Sequence, residues 1–294
     1  MKPLDLSVEC QSIADNFTGL ASQRYSCRSF AGKPIPSGPL DRLNACVSAL
    51  NRTNAPIPRL ELFPAASLRK ENLFSTGTYG LIRKPSAYLA GITIPGTMED
   101  WMALGRAMQV AVMQATALDI QSCWIGGVFD RRTCRRVLAL SPEEQVPAVI
   151  ALGTAARRRT LQDRLVRWSA RGATRRAFGA LFFDRHWGEP LDPARYPGIT
   201  PLLENLRRAP SASNRQPWRA VVRENELDLY LQRTPGYQRL TPGVDLQAVD
   251  MGIAICHLEL SAREMGIRLT WGGIPAPVSD QEEPIRTFRL KTKS

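Results

Sequence analysis

The amino-acid sequence predicts an α+β fold made of two similar halves in one polypeptide. Three observations carry this expectation. The segment "LGRAMQVAVMQATALDIQSCWIGG" (104–127) matches "MGIAICHLELSAREMGIRLTWGG" (251–273) without a gap at a shift of 147 positions, half the chain length. The shift superposes Gly105 on Gly252, Ala107 on Ala254, Ala115 on Ala262, Ile120 on Ile267, Trp124 on Trp271 and Gly126 on Gly273. Helical and strand periodicities interleave without a strict βαβ beat, and no G-x-G-x-x-G or Walker-type loop is present.

The elements follow in order. A helix is expected near 6–22, then a proline-rich turn "GKPIPSGP" and a helix over 39–51. Strands are read in "RLELFPA" and "SAYLAGITI", a long helix over 99–118, and a strand at "VPAVIALGT" (146–154). The second half opens on a comparable turn, "GEPLDPARYPGITP", and continues with the helix "PLLENLRRA" and strands in "WRAVVREN" and "LDLYLQR". Its long helix runs over 244–266 and its last strand over "PIRTFRLK" (284–291). The halves divide at 1–160 and 161–294.

Composition narrows the function. Hydrophobic residues make up 44% and charged residues 22% of the 294, ordinary values for a globular protein. The start "MKPLDLSVECQ" does not read as an export signal, and no apolar run is long enough for a spanning helix, so a cytoplasmic, non-membrane protein is expected. A net charge of +12 favours anionic partners, and arginines crowd 157–176, read as a solvated connector between the halves. No aromatic residues interleave with them in a stacking pattern, so nucleic acid is not expected as a partner. Six cysteines without C-x-x-C or His-Cys clustering imply no metal site and read as reduced thiols. His186 and His257, the two histidines, lie near no Ser or Cys nucleophile motif, which argues against a triad hydrolase.

Three stretches carry chemistry. In "RYSCRSF" (24–30), Arg24 and Arg28 flank Tyr25 and Ser26, and two forked cations with a hydroxyl make a compact oxyanion site. The loop "APSASNRQPW" (209–218) packs Pro210, Ser211, Ala212, Ser213, Asn214 and Gln216 into one turn, a supply of donors and acceptors suited to the polar edge of a heterocycle. In "CWIGGVFD" (123–130), Gly126 and Gly127 let the backbone run close to a flat ligand, after Trp124 and Ile125.

With these motifs together, the chain resembles the FMN-dependent nitroreductase family. The Arg-x-Ser-x-Arg-x-Phe start, the Pro-Ser-x-x-Asn-x-Gln-Pro-Trp loop, the Ile-Gly-Gly turn and the "ALGTAARRR" ending carry the likeness over most of the chain. It departs from the family in order: the amide-rich loop stands in the second half, and its place in the first half reads "NRTNAPIPRL". Family members are homodimers with flavin at the subunit interface. The resemblance therefore implies nitroreductase-like α/β/α layers, an internal pseudo-dimer in a monomeric chain, and one FMN per chain with NAD(P)H as donor. Arg24 and Ser26, helped by Arg157 and Arg159, would hold the phosphate. Arg28 would face the N1/C2-carbonyl edge, Gly126 and Gly127 the N5 side, and the 210–216 loop the opposite rim. The chemistry would be carried by the flavin, with no catalytic side chain, in a ping-pong reduction of nitroaromatic, quinone or similar flat acceptors. Two alternatives share these residues: a flavin-binding protein, and the same fold running an oxidation or a dehalogenation.

Overall fold

The computed structural model describes residues 3–6, 8–54, 58–68, 82–94, 96–127, 129–156 and 174–291. Two antiparallel cores dominate. In the first half, β1 (Arg59–Pro64), β2 (Ala87–Thr93), β3 (Gln121–Ile125) and β4 (Gln145–Gly153) form a sheet of order β1-β2-β4-β3. In the second, β6 (Trp218–Arg223), β7 (Glu226–Gln232), β8 (Arg268–Trp271) and β9 (Glu282–Lys291) take the order β6-β7-β9-β8. A short β5 (Phe182–Asp184) adds a parallel edge beside β6.

Burial explains the strand composition. Every residue of β2 is buried, and "AYLAGIT" is accordingly a near-continuous apolar run rather than alternating. One face of this sheet meets α1 (Phe17–Gln23), α2 (Ser37–Asn54) and α3 (Met98–Ala117) in a core with Leu43, Leu89, Met108 and Ile150. The other face carries Phe30, Tyr88, Val149 and α4 (Arg131–Val137), which starts on Asp130, whose carboxylate accepts from Arg132 and Thr133 N–H. The second sheet packs on α5 (Thr200–Arg207) and α6 (Leu246–Glu264) around Trp218, Leu229 and Phe288.

The helices α3 and α6 join the two cores. Both are buried around most of their circumference, seventeen of the nineteen residues of α6 among them, which is why neither shows a clean amphipathic stripe. Close approach is set by Gly105 and Gly252. A Cβ on Gly105 would strike the Val249 carbonyl, and one on Gly252 the Met102 carbonyl and the Arg106 nitrogen. Val249 stands 147 positions after Met102, as Gly252 does after Gly105. The contact is thus reciprocal, the signature of a two-fold relation between helices.

Some expectations need correction. The helix expected over 6–22 is broken into a 3-10 turn at Val8–Ile13 and α1, with Asn16 between. The six cysteines are not all thiols: Cys10 and Cys46 form a disulfide, their Cα atoms 5.6 Å apart, because the 3-10 turn packs on α2. Cys27, Cys123, Cys134 and Cys256 are free and buried. Among the described residues no helix is long and apolar enough to cross a membrane.

Candidate functional site

The "RYSCRSF" segment lies along the edge of the first sheet. Ser26 bridges Ser122 of β3 in parallel fashion, and Cys27 N–H donates to the Ser122 carbonyl at 2.9 Å. A few residues on, Phe30 N–H donates to Arg83 O, Ala31 N–H to Thr154 O, and Ala156 N–H to Ser29 O at 3.0 Å. The front arginines are therefore clamped between β3, which leads into Gly126–Gly127, and the exit of β4. Arg157, Arg158 and Arg159 follow Ala156 in the chain but lie outside the described residues, as does most of the basic 157–176 run.

Arg24 is the most unusual of these side chains. Its Nε is enclosed and has no hydrogen-bond partner among the described residues. Burial first, and then the charge of Arg175, push its guanidinium down to about 10, which leaves it protonated at neutral pH. Arg175 and Arg208 act with Arg24 to lower the buried His257 imidazole, so three guanidinium groups distant in sequence bear on one neutral ring. Like charges held together inside a protein create a site that attracts an anion. Arg28 is half-buried, and its carbonyl accepts from Arg83 N–H at 2.8 Å. Tyr25 packs at the edge of the Phe30 core.

The rear loop reaches the same place through Arg175. Its Nη1 donates to Asn214 Oδ1 at 3.2 Å and its Nη2 to the Arg208 carbonyl at 3.0 Å. The "solvated connector" reading fails for Arg175, which is half-buried and tied into the loop; Arg176 is exposed, but its backbone N–H donates to Gln216 Oε1 at 2.9 Å. Asn214 Nδ2 donates to Thr174 O at 2.8 Å, and Gln216 Nε2 reaches both Asn214 O and Oδ1 at 3.2 Å. Gln216, 2% exposed, spends its amide inside the loop. Ser211 Oγ accepts from Gln216 N–H at 2.9 Å, and Ser213 Oγ pairs with the Tyr237 hydroxyl at 3.2 Å. Pro210 is buried behind them.

This web holds a strained backbone. Ser213, Asn214 and Gln216 have φ of 49°, 54° and 51°. Left-handed backbone at a non-glycine residue costs on the order of 1 kcal/mol or more and persists where surrounding bonds impose it. Here the Asn214 N–H donates to Ser211 O at 3.0 Å and the Arg215 N–H to Ala212 O at 3.1 Å, closing a tight turn.

The first turns of α6 bring the glycine turn and this loop together. Gly126 packs against the Leu246 side chain, close enough that a Cβ would crowd it, whereas Gly127 is exposed with open space around it. One turn further, the Asp250 carboxylate accepts the Ala212 N–H at 2.9 and 3.1 Å. Residues four apart share a helix face, so Leu246 and Asp250 present Gly126 and Ala212 to the same side. Asp250 is buried, and desolvation holds its carboxyl well above the usual carboxylate range.

A buried hydrogen-bond chain registers the halves. Trp124 Nε1 can only donate, and it does so to Gln109 Oε1 at 3.2 Å. Gln109 Nε2 must then donate to His257 Nε2, at 2.9 Å, so His257 carries its proton on Nδ1 and donates to the Asn205 carbonyl at 2.9 Å. The chain runs from β3, before the glycine turn, to α5, before the amide loop. Trp124 is core and wall at once, packed on both large clusters and half-buried, and Ile125 is buried beside it. Gln109 and His257 were not among the residues singled out from sequence; no local motif marks them.

The position related to the glycine turn by the 147-residue shift is built differently. Arg286 donates to Glu99 Oε1 at 2.7 Å and to the Gly272 carbonyl at 3.3 Å, and lies over the Trp271 ring at 5.4 Å. The first-half counterpart of the amide loop, "NRTN", is the last turn of α2, where Asn51 exchanges hydrogen bonds with Leu60 N–H and O.

A family model described as "Putative TM nitroreductase" matches residues 17–262. The chain belongs to this nitroreductase family. Among solved structures, a putative nitroreductase of Thermotoga maritima MSB8 is 19% identical and superposes with a TM-score of 0.55, covering 94% of this chain and 93% of that one, a likeness of fold. An FMN-dependent nitroreductase of Clostridium difficile R20291 is 16% identical with a TM-score of 0.38, covering 48% of this chain and 89% of its own. A nitroreductase family protein of Clostridium novyi NT is 16% identical with a TM-score of 0.41, covering 48% and 86%. No curated protein is significantly similar to the chain.

Proposed function

We propose that this member of the nitroreductase family is an FMN-dependent NAD(P)H oxidoreductase. It would use one flavin per chain, held between halves 1–160 and 161–294 that act as a fused pseudo-dimer. The observation that carries the reading is that buried Arg24, whose Nε has no partner among the described residues, feels the charge of Arg175, itself bonded to Asn214. A flavin phosphate supplies the missing acceptor and charge. The reciprocal Gly105–Gly252 contact and the matched strand orders support the two-half reading. The Arg286–Glu99 bridge across Gly272 favours a single site.

Each residue then has a task. Arg24 and Ser26 bind the phosphate, with Arg157 and Arg159 as further candidates. Arg28 sets a fixed cation at the ring edge, which favours the negative charge that develops there on reduction. Gly126 and Gly127 would present backbone without side chains to one side of the ring, and the strained turn Ser211–Asn214 would line the other. Asp250 and Gln216 hold that turn. Held by these residues, FMN would supply hydride and electron transfer between NAD(P)H and a nitroaromatic, quinone or similar flat acceptor, in ping-pong order.

The test is direct. Protein purified with excess FMN should be yellow, release one flavin per chain on denaturation, and oxidise NADPH or NADH in the presence of nitrofurazone or a benzoquinone. Parallel initial-rate lines would mark the ping-pong order. Flavin retained without turnover would leave a binding protein, and no retention at all would overturn the proposal.

A further inference from the structure

On the far side of the amide loop, the ends of β6 and β7 open a cavity of about 570 Å³ lined by Arg176, Arg215, Arg219, Arg233, Gln232 and Gln281 among others. The four arginines are not equivalent. Arg233 is neutralised, gripping Asp245 at 3.0 and 2.8 Å and bonding Glu283 as well. Arg219 is 4% exposed and forms the floor, donating to the Gln216 and Trp218 carbonyls at 3.0 and 2.6 Å and to Gln232 Oε1 at 2.5 Å. Burial and the charge of Arg176 push it down to about 10, so the floor already feels excess positive charge. Arg176 and Arg215 stand exposed at the mouth. Among the described residues neither meets a carboxylate: Arg176 Nε donates to the Arg215 carbonyl at 3.3 Å, and the Arg215 guanidinium lies 5.9 Å over the Tyr237 ring.

We infer that this cavity is a binding site for a phosphorylated small molecule of nucleotide size, separate from the flavin site. Two open guanidiniums at the rim suit the oxygens of a phosphate or diphosphate, which accept forked pairs of N–H donors. The volume falls in the range of ligand pockets and far exceeds a single phosphate, and the Gln281 amide offers a donor and an acceptor to a sugar or base. The inference does not depend on flavin binding: Arg215 belongs to the 210–216 loop, but its guanidinium lies over Tyr237, and no other residue placed around the flavin lines this cavity.

Calorimetric titration of FMN-saturated protein with ADP, and separately with inorganic pyrophosphate, tests it. One saturable ADP site per chain is expected, weakened as salt rises from 50 to 200 mM. R215A and R176A should each lower ADP affinity by about tenfold, R215K by less, and R24A not at all. Pyrophosphate competing with ADP would assign the contact to the phosphates; ADP binding unaffected by pyrophosphate would overturn that assignment. Unchanged ADP affinity in the R215A/R176A variant, with an unchanged thermal midpoint, or no binding of either probe, would overturn the site. Flavin content is read in the same samples, so failure here with one flavin per chain leaves the functional proposal standing, and ADP binding without flavin does the reverse.

Discussion

Gly105 and Gly252 touch each other's helices at equivalent points, each lying where the other helix's carbonyl leaves no room for a methyl group. This crossing sets the distance between the two sheets, and hence the width of whatever lies between the glycine turn and the amide loop.

Replacing either glycine by alanine sets two effects against each other. Alanine favours a helix by about 1 kcal/mol over glycine, but forcing a methyl into a packed backbone contact costs about 1–3 kcal/mol and shifts the helices apart. Here the obstacle is backbone carbonyl, which cannot rotate away, so the clash wins. Gly105→Ala and Gly252→Ala should each destabilise by about 1–2 kcal/mol net in urea unfolding, and flavin retention should fall with them. A stabilised variant would contradict the close crossing.

His257 predicts a pH dependence. Burial, assisted by Arg24, Arg175 and Arg208, drives its imidazole down to about 3 from an ordinary 6.5. Below 6.5 the unfolded chain binds a proton that the folded protein refuses, so folding stability is complete above that value and falls with acidification towards pH 3. The slope attributable to this residue is roughly 1.4 kcal/mol per pH unit within that window. Denaturant titrations at pH 7, 6 and 5 should show a shallower decline in His257→Gln than in the native protein.

Asp250 behaves in the opposite sense. Its raised folded-state carboxyl value means that its contribution to stability is present at low pH and is lost as pH rises through the shifted range. Asp250→Asn keeps an acceptor for the Ala212 N–H and removes a buried charge. It should match or exceed native stability at pH 8, with the margin shrinking on acidification. Asp250→Ala leaves that N–H unpaired, at a cost of about 1–3 kcal/mol, and should weaken flavin retention where Asn does not.

Arg24→Ala and Asn214→Ala, 190 positions apart in the chain, should each raise the FMN dissociation constant by about tenfold or more, as loss of a charge-assisted bond implies. Fluorescence titration with FMN measures this. Full flavin affinity in either variant would count against a site shared by the halves.

Much of the architecture is legible from periodicity. The long helices at 98–117 and 246–264, the buried strands β2 and β4, and the strand pair β6–β7 fall within a few residues of their expected places, because their apolar spacing leaves no alternative burial. The short β5 and α4 escaped notice: one is a three-residue edge, and the other reads "RRTCRRV", with no apolar stripe to betray it. The break at Asn16 has no signal in the local sequence, and the Cys10–Cys46 bridge depends on α2 lying beside the 3-10 turn.

The candidate site divides in the same way. Its motifs are local, so Arg24, Ser26, Gly126 and the 210–216 turn could be named from residue chemistry alone. Arg175, Asp250, Gln109 and His257 could not, for they act through partners 38 to 148 residues distant along the chain. Sequence by itself determined which groups the protein offers and where along the chain its long helices and buried strands fall. Tertiary structure decided which of those groups meet, because a hydrogen bond or a shared charge depends on separation in space, and that separation was set by two helices crossing at a pair of glycines.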